Sequence, residues 1–388
     1  MSQSFTRVEL LRRGAAAGVV IALPTSFLAA CGGDDEEAAG TTTGGKKQLA
    51  KTLRFSNWTL YIDIDEKTKA HPTLDEFQQK TGTKVEYHED INDNASYFGK
   101  IQRPLSQGNS IDRDIIVLTD NERFLGLMID KGWVEELDKD LIPNISNLID
   151  AQKSPPFDPD RTYSLPWQSG MTGIAWNEKE TGPVTSITQL FEDPKLKGKV
   201  TALNGMGDTP PLVMLDNGDD PASVTDATWT AAIDRIQAAV DSGQIRRFTG
   251  NDYAQPLSQG DLAAAIAWSG DIYQLLSSNP SLRWALPTKG GVIWTDNMII
   301  PTGGSAPTAS TFMNFVYDPK IAAQIAAYVA YVPPVKGTQE ILAKTDPKMA
   351  SSELVFPSDA TLANAHQFDS KALNNQTYVE QWQKVLGA

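Results

Sequence analysis

The chain has 388 residues, of which 34 are lysine or arginine and 48 are aspartate or glutamate, so that its formal net charge is −14 at pH 7. This excess of negative charge disfavours binding to nucleic acids and to anionic membrane surfaces. The only cysteine, Cys31, lies near the amino terminus, which excludes an intrachain disulfide and a cysteine-based metal site in the rest of the chain. At about 150 residues per domain, the length predicts two domains.

The first thirty residues have the pattern of an export signal. Arg12 and Arg13 close a basic segment, and the apolar run GAAAGVVIALPTSFLAA follows it up to Cys31. The string LAAC followed by two glycines resembles the lipobox of bacterial lipoproteins. Pro24 interrupts the apolar run, whereas a membrane-spanning helix needs about 20 apolar residues. We therefore predict a lipoprotein signal peptide over 1–30 and a lipid anchor on Cys31.

The export route stays open, since the paired arginines fit both the twin-arginine route and the general secretory route. Residues 31–50 are small and polar, which predicts a flexible tether. Within them, GTTTGGKK comes close to a phosphate-binding loop. No strand is predicted before it and no apolar helix after it, so we expect no nucleotide site.

The remaining residues alternate short apolar runs with segments of helical periodicity. Two such segments, 71–82 and 225–243, end in glycine, which predicts two helices with glycine as their stop signal. The apolar runs predict strands at 53–58, 114–120, 172–176, 199–205, 261–271 and 290–296. This alternation predicts an α/β fold with mainly parallel sheets.

Aromatic and acidic residues recur where the predicted strands end. In open α/β sheets, ligands bind beyond the carboxyl ends of the strands. The residues found there include Trp58, Thr59, Tyr61, Thr119, Asp120, Asp208, Trp268, Asp271, Trp294 and Asp296. Carboxylates bind ammonium groups and aromatic rings cover methylenes, so this composition suits an organic cation with an apolar body.

Each of these residues also has a purely structural interpretation. A tryptophan at a strand end can belong to the core, Asp271 can cap a helix, Asp208 can close a turn, and Asp120 can lie in a solvated loop. Asp296 is the hardest to explain in this way because apolar residues flank it and a buried lone carboxylate is costly. In an extended chain Trp294 and Asp296 point to the same face; otherwise the strand ends before Asp296.

Five motifs resemble those of the spermidine/putrescine-binding proteins of polyamine ABC transporters, over about residues 53–388. The motifs are FSNWTLY (55–61), DIIVLTD (114–120), FDPDRTYSLPWQSGMTGIAWN (157–177), AWSGDIYQ (267–274) and GGVIWTDNMIIP (290–301). The resemblance implies an α/β, two-lobed type II periplasmic-binding-protein fold with two hinge crossovers, which closes on its ligand. Lobe 1 is expected from 51–165 plus 296–332, and lobe 2 from 166–295 plus 333–388.

The resemblance also implies which residues line an interlobe cleft. Matched position by position, they are Trp58, Thr59, Tyr61, Thr119, Asp208, Trp268, Asp271, Trp294, Asp296, Tyr331 and Gln367. In the W-x-D pair formed by Trp294 and Asp296, the acid is the group that binds an ammonium. Leu60 stands where the family usually has an acid. Either Asp120 compensates for the lost carboxylate, or the ligand has fewer amines at that end.

The function implied is that of an exported solute-binding lipoprotein that captures putrescine or spermidine and delivers it to an ABC permease. We expect a monomer without cofactor or metal, on the outer face of the cytoplasmic membrane or in the periplasm. A binding protein of the same fold for another small organic solute is the alternative. A glycosidase-like enzyme is a further alternative, because Asp208, Asp271 and Asp296 could face one another. The three histidines lie in no catalytic motif, and we expect no enzyme.

Overall fold

The computed structural model describes residues 48–65 and 67–387. The predicted signal peptide, the lipidation of Cys31 and most of the predicted tether lie outside these residues. Within the described part of the chain, no helix has the length and the apolar character that crossing a membrane requires.

The described residues form strands, α-helices and short 3-10 helices. The strands are β1 (Thr52–Trp58), β2 (Lys84–Ile91), β3 (Ile115–Thr119), β4 (Ser164–Asn177), β5 (Val200–Leu203), β6 (Ile245–Thr249), β7 (Ala264–Trp268), β8 (Leu282–Ala285), β9 (Gly291–Ile299) and β10 (Ala365–His366). The α-helices are α1 (Pro72–Thr81), α2 (Asn94–Ser106), α3 (Arg123–Asp130), α4 (Glu178–Thr181), α5 (Ile187–Glu192), α6 (Thr209–Asn217), α7 (Asp226–Asp241), α8 (Ala254–Gln259), α9 (Ser269–Leu275), α10 (Ala306–Val316), α11 (Pro319–Val329), α12 (Thr338–Thr345), α13 (Pro347–Ala350), α14 (Asp359–Leu362), α15 (Ser370–Leu373) and α16 (Gln376–Leu386). The 3-10 helices are Lys139–Leu141, Pro143–Asn147, Asp150–Gln152, Pro194–Leu196 and Asn251–Tyr253.

Both helices predicted from glycine stop signals are confirmed. α1 begins at Pro72 and ends before Gly82, whose φ of 76° is a left-handed conformation that glycine adopts without strain. α7 begins after Thr225, whose hydroxyl accepts a hydrogen bond from the backbone N–H of Thr228, while the Thr228 hydroxyl accepts one from the backbone N–H of Thr225. This reciprocal cap satisfies backbone groups that a helix end leaves unpaired.

The strands form one sheet in the order β2-β1-β3-β9-β4-β7-β5-β6, with β10 beside β9 and β8 beside β4. The outer pairs β1–β2, β1–β3, β5–β6 and β5–β7 are parallel. The central pairs β3–β9, β4–β9 and β4–β7 are antiparallel. The prediction of mainly parallel sheets is therefore right for the two ends of the sheet and wrong for its centre, because β4 and β9 run in opposite directions between the lobes.

β4 and β9 are the two crossovers between the lobes, as the resemblance implied. The first half of β4 pairs with β9, and its second half pairs with β7 and β8. The end of β9, residues 296–299, lies between β3 on one side and the start of β4 on the other. All fourteen residues of β4 are buried, so the connection lies inside the protein.

Each lobe has its own hydrophobic core. In the first lobe, Phe55, Phe77 and Phe312 are fully buried and pack together. The core of the second lobe contains Trp229 and Trp382, the latter on the carboxyl-terminal helix α16. Helices α12 and α13 pack against α11. The residue bounds expected for the two lobes stay a prediction.

Two of the strands are longer than their sequence patterns indicated. β9 does not end before Asp296 but extends to Ile299, and β4 begins at Ser164 instead of residue 172. The backbone of Asp296 lies between Thr119 of β3 and Gln168 of β4, so its polar side chain does not interrupt the ladder. Polar residues of these strands, such as Gln168 and Asn297, are buried, which is why polarity did not mark the strand ends.

Candidate ligand-binding site between the lobes

A cavity lies between the two lobes, where β4 and β9 cross. Small molecules commonly bind in concave sites between domains. The residues that line it are Trp58, Thr59, Tyr61, Asn94, Thr119, Asn121, Asp208, Asn251, Trp268, Trp294, Asp296 and Tyr331. Two are aspartates and none is a lysine or an arginine. The structure thus brings together nine of the residues proposed for ligand binding from sequence, the three asparagines being the additions.

Asp296 projects into the cavity from the middle of β9 and is only 4% exposed. Its Oδ2 accepts a hydrogen bond from the Tyr61 hydroxyl at 2.7 Å, and its Oδ1 accepts one from the Thr119 hydroxyl at 2.6 Å. Burial raises the pKa of Asp296 to about 6, although both hydrogen bonds lower it. Two neutral donors therefore hold the carboxylate in place without replacing the hydration that it loses.

Asp208 enters the same cavity from the second lobe, immediately before α6. Its Oδ1 accepts hydrogen bonds from the Thr172 hydroxyl at 2.5 Å and from the Trp268 indole at 3.2 Å. The side-chain amide of Asn121, from the first lobe, lies 3.5 Å from the same oxygen. The Asp208 side chain makes no capping hydrogen bond to α6. Burial raises its pKa to about 6 as well.

Aromatic side chains form the apolar walls of the cavity. The rings of Trp268 and Trp294 meet edge to face with centroids 6.1 Å apart, and Trp294 contacts Tyr331 at 5.8 Å. The Trp294 indole donates a hydrogen bond to the Thr172 hydroxyl at 3.0 Å. Since this hydroxyl also binds Asp208, the walls and the carboxylates are positioned by one connected network.

Asp271 lies beside the cavity and does not line it. Its Oδ1 accepts a hydrogen bond from Tyr331 at 2.9 Å, and its Oδ2 accepts hydrogen bonds from Asn251 at 2.8 Å and from Tyr253 at 2.9 Å. Tyr331 and Asn251 both line the cavity, so Asp271 positions two of its residues. Its own carboxylate borders an adjoining cleft, which Leu60 also lines.

Asp120 and Gln367, which were also proposed as ligand-binding residues, are not among the residues that line the cavity. Successive residues of an extended chain face opposite sides, so Asp120 points away where Thr119 points in. The Asp120 Oδ1 instead accepts a hydrogen bond from the backbone N–H of Thr295 at 2.8 Å. Burial raises its pKa to about 7. Both residues border a different cleft, and Asp120 does not stand in for the acid that Leu60 replaces.

Three asparagines that line the cavity were not predicted from the sequence. Asn94 exchanges hydrogen bonds with Thr119, Asn121 approaches Asp208, and Asn251 binds Asp271. Each follows the carboxyl end of a strand, β2, β3 and β6 respectively. The rule that places ligands at these ends would have identified Asn94 and Asn251 if 84–91 and 245–249 had been recognised as strands.

Comparison with known proteins gives a consistent result. Residues 73–355 match the family model described as bacterial extracellular solute-binding protein. The spermidine/putrescine-binding periplasmic protein of Escherichia coli K12 is 23% identical over 337 residues, which cover 86% of this chain and 91% of the relative. The putrescine-binding periplasmic protein PotF of the same organism is 26% identical over 302 residues, covering 72% and 77%.

Solved structures share the two-lobed fold. A putative spermidine/putrescine ABC transporter protein from Listeria monocytogenes superposes with a TM-score of 0.74 at 26% identity, covering 87% of this chain and 99% of the other. The Atu4243 GABA receptor has a TM-score of 0.66 at 18% identity, with 86% and 97% covered, which shows the fold alone. The periplasmic-binding-protein fold and the resemblance inferred from the five motifs are thereby confirmed. The chain belongs to the family of bacterial extracellular solute-binding proteins, which are transporter components and not enzymes.

Proposed function

We propose that this protein captures a polyamine, putrescine or spermidine, in the interlobe cavity and delivers it to an ABC permease. One observation carries the proposal: two buried carboxylates, Asp208 and Asp296, share a cavity whose lining contains no lysine or arginine. A buried carboxylate needs a cation to offset the loss of hydration. The polyamine names of the relatives in Escherichia coli point to the same class of ligand.

The geometry suits an amine at each end of an apolar chain. Tyr61 and Thr119 fix the Asp296 carboxylate, and a carboxylate can accept about four hydrogen bonds, so room remains for an ammonium group. Asp208 offers a second carboxylate on the other lobe. Trp268 and Trp294, which line the same cavity, provide ring faces and edges for the methylenes. A charge-assisted hydrogen bond of this kind contributes about 1.5–3 kcal/mol.

The lining of the cavity argues against acidic solutes as the alternative ligand. A protein of similar fold is solved with agropinic acid, at a TM-score of 0.69 and 18% identity, so the fold itself accommodates different ligands. A ligand that carries a carboxylate would meet Asp208 and Asp296 without any basic side chain in the lining. Like charges in a cavity of low polarity repel strongly. A neutral organic solute is therefore the rival to test.

The remaining parts of the proposal concern the cell surface. The family places the protein outside the cytoplasm, and we propose that the lipid on Cys31 keeps it on the outer face of the membrane or in the periplasm. We also propose that the protein acts as a monomer. Its lobe 1 would consist of residues 51–165 and 296–332, and its lobe 2 of residues 166–295 and 333–388. Labelling with a radioactive fatty acid, in the wild type and in Cys31→Ser, tests the anchor directly.

Thermal unfolding in the presence of candidate ligands tests the proposed function. A ligand at about 100 times its dissociation constant stabilises the folded protein by about 2.7 kcal/mol, which raises the melting temperature measurably. We expect a rise with putrescine or spermidine, and none with glycine betaine, maltose or ferric citrate. A rise with one of the last three alone would leave the fold intact and reject the polyamine.

A further inference from the structure

The lobes also touch at the edge of the ligand cavity, where Asn121 and Asp208 line it. Asn121 and Glu122, between β3 and α3 of the first lobe, face residues 205–208, between β5 and α6 of the second lobe. The Asn121 side-chain amide donates a hydrogen bond to the carbonyl oxygen of Gly207 at 3.1 Å. The backbone N–H groups of Met206 and Gly207 interact with the Glu122 carboxylate and favour its charged form. Among the described residues, no β-ladder pairs these two segments, so their contacts depend on how the lobes sit against each other.

Two glycines make this close approach possible. A Cβ atom on Gly207 would overlap the carbonyl oxygen of Asn121. A Cβ atom on Gly205 would lie 3.0 Å from Oε1 of Glu122 and would also collide with the Asp208 carboxylate. The φ angle of neither glycine is in the left-handed region, so the backbone itself would accept alanine. The opposing lobe therefore requires glycine at position 207, whereas at position 205 the Asp208 side chain of the same turn is the closer obstacle.

The Glu122 carboxyl group is held close to Asp208 without lining the cavity. Both approach the same point beside Gly205. Burial raises the pKa of Glu122 to about 8, and the charges of Asp208 and Asp93 contribute in the same direction. At neutral pH the carboxyl group is therefore mostly protonated, and glutamine is its nearest uncharged counterpart.

We propose that Asn121, Glu122 and residues 205–208 form an interlobe latch, in which Glu122 is a positioning residue for Asp208. The turn 205–208 ends at the carboxylate that faces the cavity. When the lobes close, holding this turn against the first lobe fixes the Asp208 carboxylate within reach of the ligand. The latch concerns the closure of the lobes and does not depend on which solute enters the cavity.

Substitution of Gly207 tests the latch through affinity. Gly207→Ala should leave the open form folded but obstruct closure, which lowers the fraction of protein able to bind. We expect putrescine to bind about tenfold more weakly or worse, with a melting temperature of the ligand-free protein close to that of the wild type. Gly99→Ala is the matched control, because a Cβ atom on this glycine of α2 meets nothing within 4 Å. Binding by Gly207→Ala with wild-type affinity would overturn the proposal.

Hydrogen exchange tests the latch without relying on a ligand. In the wild type, the amides of Met206 and Gly207 should be protected, and Glu122→Ala should speed their exchange by about tenfold. Glu122→Gln keeps an acceptor for these amides and should restore the protection, which a loss of packing alone would not predict. If the amides of Met206 and Gly207 exchange equally fast in the wild type and in Glu122→Ala, both with and without putrescine, the latch is overturned. Protected amides in a wild type that binds no polyamine would reject the proposed ligand and support the latch.

Discussion

Asp296 receives a hydroxyl hydrogen bond on each carboxylate oxygen and is almost completely shielded from water. These two bonds are too few to compensate for its burial, which is why its pKa is raised to about 6. The second carboxylate of the cavity, Asp208, has the same raised pKa for the same reason. A bound cation would favour the ionised form of both groups, and this is the physical basis of the proposed affinity.

The negative charge of Asp296 should contribute directly to the affinity for putrescine. Asp296→Asn keeps the shape of the side chain and removes its charge, so putrescine should bind about 10- to 100-fold more weakly, in line with the loss of one charge-assisted hydrogen bond. Titration calorimetry measures the change. Asp120→Asn is the matched control, because residue 120 lies outside the cavity. The side-chain oxygen of the asparagine can still accept the hydrogen bond from the Thr295 N–H. An equal loss of affinity in both variants would contradict the assignment of the site.

The second residue-scale prediction concerns pH. Without ligand, Asp208 and Asp296 lose their protons only around pH 6. A bound ammonium group lowers both pKa values, so below about pH 6 putrescine must displace protons in order to bind. Affinity should therefore be constant above about pH 7 and fall as the pH drops through 6, by about tenfold per pH unit for each carboxyl group that must ionise.

Calorimetric titrations at pH 5, 6, 7 and 8 check this dependence. Asp296→Asn should show a shallower fall, because only Asp208 then titrates in the cavity. The same putrescine affinity at pH 5 and pH 8 in the wild type would mean that the carboxylates do not hold the amine.

At the scale of elements, β4 and β9 join the lobes and also carry walls of the site. Gly170 of β4 pairs with Trp294 of β9, and a Cβ atom there would lie 2.5 Å from the indole ring and 3.0 Å from the ring of Tyr331. The aromatic wall therefore packs directly on the bare backbone of the neighbouring strand. A side chain at this position would displace the Trp294 ring from its contact with β4.

The contact between Gly170 and the Trp294 ring should matter for both stability and affinity. Gly170→Ala should force Trp294 to move, which lowers the free energy of unfolding by about 1–3 kcal/mol, as overpacking does in other cores. Putrescine affinity should fall in the same variant because the moved ring enters the cavity. Urea unfolding and calorimetry measure the two effects, with Gly99→Ala on α2 as the control. A variant with unchanged stability and affinity would show that the wall is not fixed by β4.

The strand patterns also show what the sequence can and cannot indicate at this scale. Strong apolar runs identified β1, β3, β5, β7 and part of β9. β2 and β6 were not predicted because charged residues interrupt their apolar pattern, as in KVEYHEDI and IRRFT. The asparagines that follow these two strands were missed with them. The first half of β4 was missed because its polar residues, such as Gln168 and Ser169, are buried in the hinge instead of marking a loop.

For the whole molecule, the two-lobed fold followed from a resemblance of ordered motifs and not from periodicity. Alternating strands and helices predicted an α/β chain, but the local pattern does not reveal that β4 and β9 cross between the lobes and make the centre of the sheet antiparallel. The same limit applies to the site. Thr119 ends β3 and Asp120 follows it, and only the three-dimensional placement shows that the first lines the cavity and the second bonds the backbone of β9.

The proposed function requires the cavity to bind an organic cation through its carboxylates. The most direct test is a calorimetric titration of the purified protein at pH 7.5 with putrescine and, in parallel, with 1,4-butanediol, which has the same four-carbon chain and two neutral hydroxyl groups. We expect one molecule of putrescine to bind with a dissociation constant of about 10 µM or lower, and no measurable heat from the diol. Equal binding of the two compounds, or binding of the diol alone, would contradict the account.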